Sequence, residues 1–85
     1  MDQVSVSEGL DMLSEVRGFL VPSADVEFGS VGLDSLQTIE WLSMLEDRLG
    51  FYFDLEDLDF HSLRRQSIAD VLQFLNKTAA GGSPA

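Results

Sequence analysis

The stretch Gly32-Leu33-Asp34-Ser35-Leu36-Gln37-Thr38-Ile39-Glu40-Trp41-Leu42-Ser43-Met44-Leu45-Glu46-Asp47-Arg48-Leu49 decides how this chain folds. Asp34 and Gln37 have the spacing of a capping box, and the apolar residues after them recur with helical period, which predicts a helix from about Leu36 to Leu49. Advancing about 100 degrees per residue gathers Thr38, Trp41, Leu42, Leu45 and Leu49 on one side, which can face a core. The opposite side carries Leu36, Ile39, Glu40, Ser43 and Asp47. Folding does not call for two branched apolar residues among acids and away from the core stripe, although isolated exposed apolar residues are common. The functional reading is a docking face, in which Leu36 and Ile39 bury against a partner while Glu40, Glu46 and Asp47 pair with its Arg and Lys. Met44 falls on a flank, where a flexible side chain serves either the core or a partner; we count it with the docking set.

Ser35 sits in the first turn of this helix. Unpaired backbone N–H groups and the positive end of the helix dipole stabilise a phosphate attached to a hydroxyl at such a position. No general base accompanies it in sequence, and acidic residues follow it, so the serine reads as one that is modified rather than one that reacts.

Working outward, a first helix is expected from near Ser5, whose spacing to Glu8 fits a capping box, to about Leu20 before Pro22. Leu10, Leu13, Val16 and Leu20 form its buried stripe, widened by Met12 and Phe19. From Val21 to Leu33 the residues Pro22, Ser23, Gly29, Ser30 and Gly32 interrupt every period, which predicts one long loop. Val26, Phe28, Val31 and Leu33 are placed to pin that loop to the core and leave the serine at its end. Gly50 suits a helix C-cap, and Phe51, Tyr52 and Phe53 read as a core-facing loop. Asp54 to Gln66 is expected to hold a short third helix, with Leu55, Leu58, Phe60 and Leu63 as core contacts. The last helix is expected from Ser67 with Asp70 at N3, and Ile68, Val71, Leu72 and Leu75 give its core stripe. The domain is drawn over residues 1–77, and the Ala, Gly, Ser and Pro tail from Thr78 to Ala85 is expected to be disordered.

The chain has 85 residues, no cysteine and 45% hydrophobic content, so one domain must fold on its apolar core without disulfides or thiolate-metal staples. Five basic against fifteen acidic residues give a net charge of −10, which disfavours nucleic acid and anionic membrane surfaces and points to basic protein partners. No apolar run reaches membrane-spanning length and no secretory signal opens the chain, so a cytoplasmic monomer is expected. The fold class expected is all-α, a small antiparallel four-helix bundle with three main helices and one short helix.

Gly32-Leu33-Asp34-Ser35-Leu36 resembles the attachment motif of phosphopantetheine-binding carrier proteins, the acyl and peptidyl carriers. The resemblance runs from about Val6 to Leu75 and includes Phe28, Leu45-Glu46 and Ser67-Ile68. It implies an acyl-carrier-protein-like fold with a long first loop, and a covalent 4′-phosphopantetheine arm on Ser35, installed from coenzyme A by a phosphopantetheinyl transferase that Asp34 helps to recognise. It also implies that the docking face meets an acyl- or aminoacyl-loading enzyme and then condensing or tailoring enzymes. The segment Glu56-Asp57-Leu58-Asp59-Phe60 is longer than in ordinary fatty-acid carriers and resembles freestanding carriers of specialised pathways, polyketide-like or related. Val31-Gly32-Leu33-Asp34 lacks the glycine pair typical of peptidyl carriers, which favours acyl over aminoacyl cargo. A freestanding aminoacyl carrier, of a nonribosomal-peptide-like or D-alanyl-transfer-like pathway, is the alternative.

Rival chemistries fit the residues less well. A serine hydrolase needs a base, and the only histidine, His61, lies in an acidic segment without a companion. Gln37 replaces the second glycine of a nucleophile elbow. The acids from Asp54 to Asp59 lack the glycine and glutamate of an EF-hand, so no metal site is assigned. Arg64 and Arg65 read as neutralising nearby acids rather than recognising a phosphate. A non-catalytic acidic helical interaction domain explains the fold and the charge, but leaves Ser35, Leu36 and Ile39 without a cause.

Overall fold

In the computed structural model, residues 3–18, 20–54, 56 and 58–81 are described. They form four α-helices: α1 (Val6–Arg17), α2 (Ser35–Leu49), α3 (Phe60–Arg64) and α4 (Ile68–Gly81). A 3-10 turn at Phe28–Val31 interrupts the long first loop, and among the described residues there is no strand. The expected all-α bundle of three main helices and one short helix is the observed architecture.

Each helix start follows from a local cap. Ser5 and Glu8 close a reciprocal capping box on α1, and Asp34 and Gln37 close another on α2. On α4, the Ser67 hydroxyl accepts from Asp70 N–H at 3.1 Å, the expected N3 arrangement. The remaining amide groups at that end find partners in the first loop: Ile68 N–H donates to Val26 O and Ala69 N–H to Ala24 O, each at 3.0 Å. Phe28 N–H in turn donates to Gln66 O at 2.8 Å. Helix-start donors that the sequence leaves unpaired therefore hold the loop in place.

The core is a single cluster to which every helix contributes, with Leu13, Trp41, Leu45, Ile68, Val71, Leu72 and Leu75 almost completely enclosed. The Trp41 ring packs tilted against Phe28 at 5.1 Å between centroids, and its Nε1–H donates to Gly9 O at 3.1 Å. The absence of a side chain at Gly9 lets α4 pack closely on α1 at the same point, since a Cβ there would stand 2.5 Å from Leu72 Cδ2. At the chain's start, Val4 N–H donates to Asn76 Oδ1 and Asn76 Nδ2 donates to Val4 O, tying the first described residues to α4.

Several expectations need correction. Helix α1 stops at Arg17 rather than near Leu20, because Gly18 takes a left-handed conformation with φ of 89° and its N–H closes onto Ser14 O. Leu20 is thereby released from the helical stripe and lies 77% exposed; of that stripe Leu13 is fully buried, while Leu10 and Val16, with Met12, are half-buried at the margin of the core, and Phe19 lies outside the described residues. Tyr52 also departs from the core-facing reading. It is 84% exposed between a half-buried Phe51 and a buried Phe53, as an extended segment with alternating side chains requires. Helix α4 continues through Gly81, so the expected disorder does not hold for Thr78–Gly81, where the Thr78 hydroxyl donates to Phe74 O at 2.9 Å. Residues 82–85 of that tail, and Leu55 of the expected third-helix contacts, lie outside the described residues.

Candidate functional site

Ser35 is the first residue of α2 and is exposed, and among the described residues its hydroxyl has no hydrogen-bond partner. Its position is fixed from three sides. The Asp34 carboxylate accepts from Gln37 N–H at 2.7 Å, and the Gln37 side-chain carbonyl accepts from Asp34 N–H at 3.2 Å. The Thr38 hydroxyl, on a buried residue, donates to Asp34 O at 2.8 Å. Upstream, Arg17 Nε donates to Val31 O at 2.9 Å and fastens the end of the loop to α1, while Gln37 Nε2 reaches Val16 O at 3.5 Å. A serine so held is presented by a rigid support rather than by a loose loop.

The outward side of α2 develops as the sequence predicts. Leu36 is 66% and Ile39 43% exposed, with Glu40, Ser43 and Asp47 exposed alongside. The inward side buries Thr38, Trp41, Leu42 and Leu45, and Leu49 is half-buried. Met44 is half-buried on the flank. Glu46 differs from the other acids of the set, because one carboxylate oxygen accepts from Phe53 N–H at 2.7 Å and holds the segment after α2. That oxygen serves the fold.

Beside Ser35 lies a cleft of about 170 Å³, lined by Ser35, Thr38 and Ile39 of α2 and by Phe60 and Arg64 of α3. Sequence reasoning did not bring α3 to the serine. Its placement comes from packing against the 3-10 turn, where Gly29 meets the Arg64 backbone so closely that a Cβ would stand 2.9 Å from Arg64 O. Asp59 caps α3 by accepting from Ser62 N–H at 3.1 Å. The expectation that Arg64 and Arg65 neutralise acids is not met among the described residues, where the one ion pair joins Arg48 to Glu8. His61 is exposed on α3 and does not line the cleft. A larger groove of about 700 Å³ runs between Val4–Val6 and α4 and shares no residue with the Ser35 cleft.

The Arg48–Glu8 pair joins α2 to α1. The Glu8 carboxyl is held below the ordinary glutamate value, first by the hydrogen bond from Ser5 N–H and then by the one from Arg48. Both favour the charged form.

A capped bundle with this helix order and a long pinned first loop is the fold of a small carrier domain of the acyl-carrier type. The family model described as phosphopantetheine attachment site matches residues 10–75, and the chain belongs to that family. Its members bear a covalently attached 4′-phosphopantetheine, are in general non-catalytic carriers, and work with transferases and biosynthetic enzymes. No curated protein and no solved structure matches the chain. The residues present fit the prosthetic group: an exposed serine hydroxyl without a competing hydrogen bond stands at a helix start, beside a cleft lined by apolar Ile39 and Phe60 and by the basic residue Arg64. Among the described residues, no helix is long and apolar enough to cross a membrane.

Proposed function

We propose that this protein carries an acyl or aminoacyl unit on a 4′-phosphopantetheine arm attached to Ser35 and presents it to partner enzymes in a specialised biosynthetic pathway. The observation that carries the reading is the exposed, unpartnered Ser35 at the capped start of α2, within the matched family segment. When bound, the arm supplies a thiol that holds the cargo as a thioester. The chain's own residues hold the attachment point still: Asp34 and Gln37 cap the helix, and Arg17 fixes the loop before it. The protein is then a cytoplasmic substrate of its partners rather than an enzyme, and tethering raises the local concentration of cargo at each docked partner.

Leu36, Ile39, Glu40 and Asp47 form the docking face, with Met44 at its flank and Glu46 contributing through its remaining oxygen. Acyl cargo is favoured over aminoacyl by the missing first glycine before Gly32. The test is incubation with coenzyme A, magnesium and a broad-specificity phosphopantetheinyl transferase, followed by intact mass and fragment analysis. One phosphopantetheine mass is expected, located on Ser35 and absent from Ser35→Ala. No mass gain with an active transferase, or full modification of Ser35→Ala, overturns the reading.

A further inference from the structure

Five basic residues serve a chain of net charge −10, and Arg64 alone of them lines the cleft beside Ser35. Arg48 pairs with Glu8, Arg17 is bonded to Val31 O, Arg65 closes the C-terminus of α3, and Lys77 lines the separate groove along α4. Among the described residues the Arg64 side chain has no hydrogen-bond or ion-pair partner. Its backbone is nevertheless firmly placed, since the 3-10 turn seats Gly29 directly against it. An arginine on a packed helix that lines the cleft with apolar Phe60 and Ile39, and that among the described residues has no anion to satisfy it, is suited to an oxyanion brought into the cleft. A phosphodiester at Ser35 adds a further negative charge to an already acidic molecule, and a nearby cation offsets that repulsion.

We propose that Arg64 is a positioning residue that pairs with the phosphodiester of the arm at Ser35, setting the arm's first segment over the cleft between α2 and α3. The inference rests on the carrier reading given above. It assigns α3 a direct part in directing the arm, while the outward face of α2 remains open for partners.

The test compares phosphopantetheinylated wild type, Arg64→Gln, Arg64→Lys and Arg65→Gln. Phosphorus-31 NMR reads the phosphodiester, and proton–nitrogen spectra read the Arg64 side-chain N–H. Conversion from apo to arm-bearing protein is expected to shift the Arg64 Nε–H resonance of the wild type. The phosphorus resonance is expected to move in Arg64→Gln, to be partly restored in Arg64→Lys, and to stay unchanged in Arg65→Gln. Raising salt from about 0.1 M to 1 M, which shortens the screening length from about 10 Å to 3 Å, is expected to move the wild-type resonance toward that of Arg64→Gln. Circular dichroism of the apo variants reports the fold, and any Arg64 variant that loses helicity overturns the purely positioning role. A phosphorus resonance indifferent to Arg64, or equally displaced by Arg65→Gln, overturns the inference and leaves the carrier reading standing. Failure of the wild type to gain the phosphopantetheine mass overturns both.

Discussion

The Ser35 cleft has two walls of opposite origin. Helix α2 supplies one wall with fifteen residues, its own capping box at Asp34 and Gln37, and a core stripe centred on a fully enclosed Trp41. Helix α3 supplies the other with five residues, a single cap from Asp59, and a position borrowed from the 3-10 turn. The first wall is specified by local pattern and anchored by its own burial. The second is too short to be stable alone and exists only where the rest of the fold seats it. Ser35 rides on the self-sufficient wall, and Arg64, which lines the same cleft, rides on the dependent one.

The comparison breaks most sharply at Leu45. Leu45→Ala removes a fully enclosed side chain from the α2 anchor and is expected to cost about 2–5 kcal/mol in denaturant unfolding. A neutral result would show that α2 is not held by its inward stripe, and would move the proposed docking face with it.

Gly29→Ala addresses the other wall. Gly29 is outside the left-handed region, so the added methyl meets contact rather than backbone strain, and the contact is with the Arg64 backbone and Cβ. The expected cost is about 1–3 kcal/mol, with faster amide exchange concentrated in Phe60–Arg64 and the α2 amides little changed. Uniform loss of protection across both helices would deny that α3 is separately placed.

A smaller effect links α2 to α1. Glu8 is more acidic in the folded protein than in the unfolded chain, so its contribution is present above the unfolded value and is lost as pH falls through the folded one. Glu8→Gln is therefore expected to melt slightly lower than wild type near neutral pH, with the difference closing as pH falls below the ordinary glutamate range. Thermal melts of both proteins across that range check it, and a gap that widens toward acid contradicts the assigned direction.

The smallest stability effect is expected on the outward side of α2. Leu36→Ala with Glu40→Lys changes only exposed positions, so unfolding is expected to stay within about 0.5 kcal/mol of wild type. Loading of the arm-bearing protein by its partner enzyme is nevertheless expected to slow, and to slow less at high salt, because an apolar anchor is lost and a charge reversed. Unaltered loading at low salt would place recognition on another surface.

What the sequence determined by itself is the part of the molecule written in local periods: the capping boxes of α1 and α2, the core stripes of α2 and α4, and the exposure of Leu36 and Ile39. These follow from side-chain spacing and from satisfying the first N–H groups of each helix, both of which act within a few residues. The tertiary structure decided what depends on contacts between distant segments. Gly9 shows no period and becomes legible only when Trp41 and Leu72 close on it. Leu20 kept its helical spacing in the sequence, but the left-handed Gly18 ended the helix before it. Arg64, set among acids in the sequence, is carried to Ser35 because Gly29 allows α3 to sit against the loop. A five-residue helix takes its position from long-range packing, and that packing has no signature in any short window of sequence.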